Sequence, residues 1–352
     1  MNIGIIGGGQ LGLMMAEAAK LLNHKIISLD PNPNCPLAKV SDNHICANYD
    51  DESQIDSLYN LSDVITYEFE NVDLSLISKY GDKIPQGKKA LEISRNRLLE
   101  KKMSKRLGIK TVKYHKLVNS NIQFFPCVIK TTTGGYDGKG QYIVLNKNEF
   151  NQLDFDLNKE YIVEEYIKYD YETSMIITRD FHGSIECFPV PVNDHRNNIL
   201  FTSIVSNEFP EVVLNKMKEY SEKIIKDLDY IGTMAIEYFI VGNNVIFNEI
   251  APRPHNSGHY SIEGCNVSQF HNHILAITEE TIKKPFLIKN VLMINVLGQD
   301  TQYTENAKMI DDIYIHMYGK KEVKHNRKMG HITYLGNTPE ELNKTLNNII
   351  KE

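Results

Sequence analysis

The sequence predicts an α/β protein whose chain begins with a doubly wound, mostly parallel sheet. A short apolar run, a glycine-rich turn, a stretch with helical spacing and a second apolar run follow one another at residues 2–6, 7–12, 13–22 and 25–30. Further apolar runs at residues 44–47 and 64–67 continue the pattern. Strands that alternate with helices form parallel sheets with helices on both faces. We therefore expect such a sheet within residues 1–95.

The composition is that of a globular protein with two or three domains. The 352 residues are 41% apolar and 24% charged, which is ordinary for this class. A net charge of −6 argues against a general nucleic-acid binder. The first apolar run ends at three glycines, so we expect no signal peptide, and no run approaches membrane-spanning length. Five scattered cysteines without CxxC spacing predict reduced, mostly buried thiols in a cytoplasmic protein.

The glycine turn after the first strand allows two interpretations. Gly7-x-Gly9-x-x-Gly12 matches the dinucleotide-binding fingerprint, and Asp30 stands where a ribose-binding acid would fall. Taken alone, this pattern predicts a nicotinamide-dependent oxidoreductase. The same glycines also serve the tight turn and close helix packing in any fold of this type, so the pattern is weak.

A basic segment links the first domain to the next. Residues 87–107 are predicted to form one long helix that ends at Gly108. Most of its charges are expected on a solvated face. One inward-facing arginine, either Arg95 or Arg97, is a candidate phosphate contact.

A glycine-rich loop between two short strands suggests a phosphate-covering flap. The first strand ends in Lys130, and four glycines lie within residues 131–141, here called the flap. Glycine backbone N–H groups can approach phosphate oxygens closely, and a lysine supplies a point charge. The segment is no Walker loop, because Gly140 stands where that motif has Ser or Thr. An ordinary glycine-rich hairpin with a surface lysine is the alternative.

Acidic residues follow on the next strand. Residues 161–167 form an apolar run that carries Glu164 and Glu165, and Glu172 and His195 come later in the chain. A strand edge can hydrogen-bond an adenine and a carboxylate can bind ribose hydroxyls. Each glutamate taken singly is more often a surface residue.

The densest polar stretch of the chain is residues 248–259, which follows a predicted strand. We expect a hairpin over residues 235–251 with a three-residue loop at 242–244. If the hairpin is symmetric about Asn243, Glu237 lies directly opposite Glu249. Like charges in that position repel, so a hard cation with oxygen ligands is the simplest partner for both. The alternative is a register shifted by one, with one glutamate in solvent.

The rest of the chain supplies supporting elements. Residues 211–228 have the spacing of a core-facing helix, and His271 and His273 on a helix at 268–277 are expected to be structural. The basic loop 319–328, between later strands, is either a phosphate site or a solvated turn. Thr338 is predicted to cap the last helix.

Together these features resemble the ATP-grasp superfamily and, within it, the 5-(carboxyamino)imidazole ribonucleotide synthase family. The stretches that carry the resemblance span nearly the whole chain, at residues 8–12, 63–72, 134–141, 248–259 and 327–331. The resemblance implies an ATP-grasp fold with a first domain at 1–95, an ATP-grasp domain at 96–275 and a small C-terminal domain at 276–352.

The implied activity is a ligase reaction of de novo purine biosynthesis. ATP and bicarbonate would form carboxyphosphate, which carboxylates the exocyclic amine of 5-aminoimidazole ribonucleotide and leaves ADP and phosphate. The family also implies magnesium, with manganese as a substitute, and a homodimer. A formate-dependent glycinamide ribonucleotide transformylase of the same fold is the near alternative. A non-catalytic nucleotide-binding protein is disfavoured, because the main ATP and metal residues are all present.

The resemblance also implies roles for individual residues. Magnesium would be held by Glu237 and Glu249. The implied ATP contacts are Arg97, Lys130, Gly135, Tyr136, Asp137, Gly138, Lys139, Gly140, Gln141, Glu164, Glu165, Tyr166, Ile167, Glu172, His195, Asn248 and Glu249. The implied ribonucleotide contacts are Tyr136, Asp137, Lys139, His255, Asn256 and Ser257, with Lys320 or its neighbour Lys321 and Arg327 on the 5′-phosphate. Arg253 would hold bicarbonate and carboxyphosphate.

Three residues are expected to act in the chemistry itself. Lys130 would offset the negative charge of the ATP phosphates, and Arg253 would hold bicarbonate and carboxyphosphate. Asp137 is the candidate base for the amine proton, because it lies in the flap. An Asp137→Asn enzyme with near-full carboxylation and normal ATP affinity would rule this role out.

Overall fold

The computed structural model of the chain describes residues 1–118, 121–135, 140–156 and 158–351. Within these residues the strands form three sheets, with four, four and nine strands. No helix in this described part is both long and apolar enough to cross a membrane. The cysteines are free thiols, and three of the five are buried, as predicted.

The first sheet is parallel, and its strand order is β3-β2-β1-β4. Alternate residues of β1 face opposite sides: Ile3 and Ile5 pack on one core cluster with Met15, and Ile6 packs on another with Leu58. Both faces are therefore covered by helices, which confirms the predicted doubly wound opening. The elements of this region are β1 (Asn2–Ile6), α1 (Gln10–Leu21), β2 (Lys25–Leu29), β3 (Asn43–Ile45), α2 (Glu52–Leu61), β4 (Val64–Tyr67) and α3 (Leu74–Lys79).

The basic segment forms two helices, so the prediction of one long helix was wrong. These helices are α4 (Lys88–Ser94) and α5 (Arg97–Arg106). Asn96 breaks them, because its side chain accepts hydrogen bonds from the N–H groups of Leu98 (3.0 Å) and Leu99 (3.3 Å) and so caps the second helix. The predicted stop is confirmed, since Gly108 follows α5 with φ +68°.

The second sheet is antiparallel and carries the flap. Its strand order is β5-β8-β6-β7, and the flap connects β6 to β7. The strands are β5 (Tyr114–Lys116), β6 (Cys127–Thr131), β7 (Gln141–Val144) and β8 (Tyr161–Glu165), with α6 (Lys147–Asn151) after β7. Flap residues 136–139 lie outside the described residues.

The third sheet has nine strands and continues past residue 276, where we expected a separate small domain to begin. Its order is β14-β13-β9-β11-β12-β15-β17-β16, with β10 paired to β9. The strands are β9 (Tyr171–Arg179), β10 (Ile185–Cys187), β11 (Val192–Arg196), β12 (Ile199–Val205), β13 (Gly232–Val241), β14 (Asn244–Ala251), β15 (Asn290–Leu297), β16 (Ile313–Met317) and β17 (Lys328–Gly336).

Helices also pack on this sheet, and three of them lie where the sequence predicted helices. These three are α7 (Glu211–Asp227), α9 (Gln269–Ile277) and α11 (Pro339–Ile349), whereas α8 (Ser261–Gly264) and α10 (Tyr303–Ala307) were not predicted. The apolar stripe of α7, for example Val213, Met217 and Ile224, is fully buried. Thr338 caps α11 by accepting a hydrogen bond from Glu341 N–H at 3.3 Å. His273 is structural, as expected, because its ring is buried between Thr66 and Thr233.

Candidate active site

The hairpin β13–β14 differs from the predicted one in its loop. Val241 pairs with Asn244, so the loop has two residues, Gly242 and Asn243, and the predicted three-residue loop was wrong. Gly242 takes φ +55°, which a glycine adopts at no steric cost and which closes the tighter turn.

A β-bulge restores the pairing that the shorter loop would have shifted. Tyr238 pairs with Phe247, and Ile236 pairs with Ile250. Between these two pairs, the single residue Glu237 lies opposite a two-residue segment of β14. That segment is Asn248 and Glu249.

The two carboxylates share the face that points away from the core. One hydrophobic cluster contains Ile236 and Tyr238, which flank Glu237 on β13, and Phe247 and Ile250, which flank the bulge on β14. Burial of Glu237 and the charge of Glu249 raise the pKa of the Glu237 carboxyl to about 7. No group of three or more His, Cys, Asp or Glu side chains suited to a metal occurs in the described residues, so Glu237 and Glu249 stand as a pair.

His255 presents an N–H to Glu237. Burial, together with the positive charge of Arg253, holds the pKa of His255 well below its usual range, so the ring is neutral. Its Nδ1 accepts from the Ser257 N–H at 3.3 Å, which places the ring proton on Nε2, 3.5 Å from Glu237 Oε1. The tautomer therefore orients a donor toward the pair of carboxylates.

Arg97 is the linker arginine at the site. Its NH2 lies 3.5 Å from Glu249 Oε2 and 3.5 Å from the carbonyl oxygen of Gly135 in the flap. Arg95 instead donates to the Val72 carbonyl at 3.1 Å, on the side of the first domain. Of the two candidate arginines, Arg97 is therefore the one that lies beside Glu249 and the flap.

Lys130 belongs to a buried group of three charges. Its Nζ lies 2.7 Å from Glu164 Oε2, and Lys101 Nζ lies 3.3 Å from Glu164 Oε1. Burial alone would raise the pKa of Glu164, but the two ammonium groups outweigh it and lower the pKa to about 2. Glu164 is 4% exposed, so its carboxylate is covered by the protein and contacts the two lysines. Sequence reasoning missed Lys101, which it placed among the solvated charges.

Glu172 and His195 form a pair at one end of the neighbouring strands. Glu172 Oε2 lies 2.8 Å from His195 Nδ1, and the hydroxyl of Tyr169 donates to the other oxygen. Burial alone would lower the pKa of His195, but the hydrogen bond and charge of Glu172 outweigh it and raise the pKa. The other residues predicted on β8 lie nearer the surface: Glu165 pairs with Lys113 at 3.1 Å, and Tyr166 is exposed.

Arg253 is held by the first domain. Its Nη2 atom lies 2.7 Å from Glu70 Oε1, and its Nη1 atom donates to the Pro254 carbonyl at 3.1 Å. Its Nε is buried and has no hydrogen-bond partner among the described residues. A buried donor without a partner is costly, so this group is suited to bind a ligand oxygen.

Asn256 and Ser257 continue this polar surface. Both amide atoms of Asn256 are buried, and neither has a hydrogen-bond partner in the described part of the chain. Ser257 Oγ lies 2.7 Å from Ser174 Oγ and 2.8 Å from His255 Nδ1. Ser257 is thus fixed by the protein, whereas Asn256 keeps its donors and acceptor for a ligand.

The basic loop meets the glycine turn of the first domain. Lys320 Nζ donates to Gln10 Oε1 at 2.8 Å and to the Lys328 carbonyl at 2.7 Å. Burial and the positive charge of Arg327 lower the pKa of Lys320 to about 8, while the charge of Glu68 opposes this shift. Lys321 is exposed, whereas Lys320 is partly buried against the glycine turn.

The glycine turn itself is filled by a carboxylate of the protein. Glu68 accepts hydrogen bonds from the N–H groups of Gly9 and Gly12, the latter at 2.8 Å, and Asp30 accepts from Gly8 at 2.8 Å. A Cβ at Gly9 would come within 2.5 Å of Glu68 Oε1. These N–H groups are the ones that would bind a dinucleotide pyrophosphate. The turn is therefore closed to that ligand, which argues against the oxidoreductase hypothesis.

The flap is described only at its base. Thr131 N–H donates to the Gly140 carbonyl at 3.0 Å, and Lys130 pairs with Gln141 across the two strands. The predicted contacts Tyr136, Asp137, Gly138 and Lys139 lie outside the described residues.

Comparisons with known proteins cover the same regions. A ribonucleotide synthetase preATP-grasp domain matches residues 1–93, an ATP-grasp domain matches 101–270, and a phosphoribosylaminoimidazole carboxylase C-terminal domain matches 291–345. The N5-carboxyaminoimidazole ribonucleotide synthase of Staphylococcus aureus (strain COL) is 42% identical over 96% of this chain and 93% of its own. The chain belongs to the N5-carboxyaminoimidazole ribonucleotide synthase family.

Solved structures of the family agree with this assignment. The N5-carboxyaminoimidazole synthetase of Staphylococcus aureus complexed with ADP is 38% identical with a TM-score of 0.92, covering 99% of this chain and 97% of its own. The Aspergillus clavatus N5-carboxyaminoimidazole synthase, in complex with ADP and 5-aminoimidazole ribonucleotide, is 26% identical with a TM-score of 0.91, covering 99% and 97%. The predicted family and the ATP-grasp fold are confirmed, and the two alternative activities are not favoured.

Proposed function

We propose that this chain is an ATP- and bicarbonate-dependent ligase of purine biosynthesis that carboxylates the exocyclic amine of 5-aminoimidazole ribonucleotide. The observation that carries the proposal is the arrangement on the two sides of Pro252. Before it, the bulge sets Glu249 beside Glu237 and Arg97. After it, Arg253 and Asn256 keep buried polar atoms without partners. A nucleotide on one side and an acceptor on the other would meet at this point.

Magnesium is proposed to bind at Glu237 and Glu249. Glu237 is buried close to the charge of Glu249, an arrangement that suits a hard cation, and carboxylate oxygens are the ligands such a cation prefers. Bound magnesium would neutralise phosphate charge and polarise the transferring group. His255 Nε2–H and Arg97 would then orient the two carboxylates from their outer sides.

The ATP phosphates are proposed to lie between Lys130, Arg97 and the flap. Lys130 is held by Glu164 with its side chain 13% exposed, so its ammonium is positioned but still accessible. Phosphoryl transfer depends mainly on positioning and electrostatic stabilisation, which Lys130 and Arg97 supply. Glu172, paired with His195, is the proposed contact for the ribose hydroxyls, and the β8 edge with Glu165, Tyr166 and Ile167 for the base.

Arg253 is proposed to bind bicarbonate. A bicarbonate oxygen attacks the γ-phosphorus, the bond to the bridging oxygen breaks, and ADP leaves with carboxyphosphate formed. Its C–O bond to phosphate then breaks, the carbon bonds to the amine nitrogen, and Asp137 takes the amine proton. The flap would shield the reactive intermediate from water during these steps.

The ribonucleotide is proposed to bind next to Arg253, along Asn256, Ser257 and His255, with flap residues Tyr136 and Lys139. Its 5′-phosphate would lie between Lys320 and Arg327. Burial and the positive charge of Arg327 lower the pKa of Lys320, and a dianion bound there would offset both positive charges.

Release of ADP tests the proposal. We expect it to require ATP, Mg²⁺, bicarbonate and 5-aminoimidazole ribonucleotide together. ADP release that ignores the ribonucleotide, or that needs formate and glycinamide ribonucleotide instead, would refute it. A titration with NAD serves as the negative control, and no binding is expected, because Glu68 occupies the glycine turn.

We also propose that the enzyme acts in the cytoplasm as a homodimer and that manganese can replace magnesium. These points rest on the family resemblance and the free cysteines. Sedimentation of the purified protein tests the dimer, and a single species at the mass of one chain would contradict it.

A further inference from the structure

Two adjacent ionisable side chains of α5, Glu100 and Lys101, are buried in the protein. Each is 1% exposed, although both are among the residues least often buried. Buried polar groups are retained where hydrogen bonds compensate their desolvation. Their partners therefore indicate what they do.

The partners lie on the two sides of Glu249. Ile250 N–H donates to Glu100 Oε1 at 2.9 Å, and Lys101 Nζ donates to the Asn248 carbonyl at 2.8 Å. β14 is the edge strand of its sheet, and the bulge interrupts its ladder to β13. Backbone groups at such a place need other partners. Glu100 and Lys101 supply one acceptor and one donor, so they grip the backbone immediately before and after Glu249.

Lys101 extends the same contact to the phosphate lysine. Its ammonium lies 3.3 Å from one oxygen of Glu164, whose other oxygen lies 2.7 Å from Lys130 Nζ. One buried ammonium thus joins the bulge that carries Glu249 to the strand pair that carries Lys130. The two groups proposed to meet metal and phosphate are fixed relative to each other through it.

We propose that Glu100 and Lys101 are positioning residues that hold Glu249 and, through Glu164, Lys130 in the arrangement that the metal–nucleotide complex requires. The inference rests on the proposed function, since it assigns these two side chains to that site. Neither residue need touch the nucleotide. Their effect is exerted through the backbone of the bulge and through Glu164.

The test uses nucleotide binding by the full chain, measured by calorimetry with ADP at several Mg²⁺ concentrations. This binding needs neither bicarbonate nor ribonucleotide, so it still reports on the two residues if the proposed carboxylation fails. We expect Lys101→Met to weaken Mg²⁺-dependent ADP binding by about 10- to 100-fold, the range seen when groups that support metal ligands are removed. Lys102→Met, on the exposed face of the same helix, is the matched control and is expected to bind normally.

Glu100 provides the variant pair that separates positioning from packing. Glu100→Gln keeps an oxygen that can accept from Ile250 N–H, and we expect near-normal Mg²⁺ dependence. Glu100→Met keeps a similar volume without the acceptor, and we expect the Mg²⁺ concentration for half-maximal binding to rise about 10-fold. Equal behaviour of these two variants would overturn the inference, and so would a Lys101→Met protein that melts earlier but binds Mg²⁺ and ADP as the wild type does.

A double-mutant cycle supplies a further test through Glu249. If Lys101 acts through that residue, Lys101→Met adds little to the loss of Mg²⁺ affinity already caused by Glu249→Gln. Strictly additive losses in the double variant would contradict this route. The Michaelis constant for the ribonucleotide should stay unchanged in Lys101→Met, because Lys101 contacts Asn248 and Glu164, which are not among the residues proposed to bind the ribonucleotide. A matching rise in that constant would indicate general loosening of the fold instead.

Discussion

An Arg253→Met enzyme is expected to lose about 10³-fold in kcat/KM for bicarbonate, the scale seen when a preorganised charged donor is removed from an active site. The guanidinium has one nitrogen on Glu70 and a buried Nε without a partner in the described residues, so it is fixed and still able to bind an oxygen. Arg253→Lys keeps the charge but loses the fork that binds two oxygens of one anion, and we expect an intermediate loss. Steady-state rates with bicarbonate as the varied substrate measure both.

Arg179→Met is the matched control for this prediction. Arg179 is 21% exposed in its side chain against 18% for Arg253, and it pairs with Asp229 at 2.8 Å as Arg253 pairs with Glu70 at 2.7 Å. It lies at the far end of β9 from Glu172, seven residues or roughly 23 Å away at the usual rise of a strand. We expect unchanged kinetics for it and unchanged ADP affinity for Arg253→Met. An Arg253→Met enzyme that retained a tenth of the wild-type rate would contradict the role.

The first sheet could be predicted from sequence because its strands are short apolar runs bounded by turns. The predicted strand at residues 64–67 coincides with β4, and the predicted helix stop at Gly108 holds for the same local reason. The closing of the glycine turn could not be predicted. Glu68 lies 59 residues from Gly9, and nothing in a glycine motif tells whether a ligand phosphate or a carboxylate of the chain will occupy it.

The predicted pairing of Glu237 with Glu249 is observed, although the hairpin differs from the predicted one in two ways. The effects of these two differences on the strand register cancel. The loop after Val241 is one residue shorter than expected, which shifts the hairpin register by one, and the bulge at Asn248 and Glu249 shifts it back. Glu249 therefore lies beside Glu237, as it would in the simple symmetric hairpin. A bulge leaves no pattern in composition or spacing, so its presence was beyond the sequence.

Glu100 and Lys101 were missed because most charged residues of this segment were assumed to be exposed to solvent. Their spacing held a signal: Glu100 precedes Met103 by three residues and Leu107 by seven, so it shares their helix face. Met103 is buried, and Glu100 and Lys101 are buried with it. Their partners on β14 are about 150 residues away in sequence, and no local pattern could have supplied them.

Replacing Glu237 by glutamine is expected to stabilise the nucleotide-free protein while it lowers carboxylation by about 10²- to 10³-fold. The folded-state pKa of Glu237 is raised from 4.5 to about 7 by burial and by Glu249, so its ionisation costs the folded state free energy. That cost is absent below the ordinary value, grows as the pH rises toward 7 and is fully present above it. We therefore expect Glu237→Gln to raise the melting temperature by about 2 °C or more at pH 8 and by little at pH 5.

Saturating Mg²⁺ and ADP should reverse that order, because a ligand stabilises the folded protein more when it binds more tightly, and the variant lacks one proposed metal ligand. Glu222→Gln is the control, since the side chain of Glu222 on α7 is 45% exposed and pairs with Lys226 at 3.0 Å, and neither the stability nor the activity of this variant should change. A Glu237→Gln protein that melted below the wild type at pH 8 without nucleotide would show that ionised Glu237 does not destabilise the folded protein. Undiminished Mg²⁺-dependent turnover would show that Glu237 is no metal ligand. The melting temperature is measured without ligand, whereas turnover is measured with Mg²⁺ and nucleotide. The destabilising ionisation of Glu237 and its role as a metal ligand are therefore tested separately.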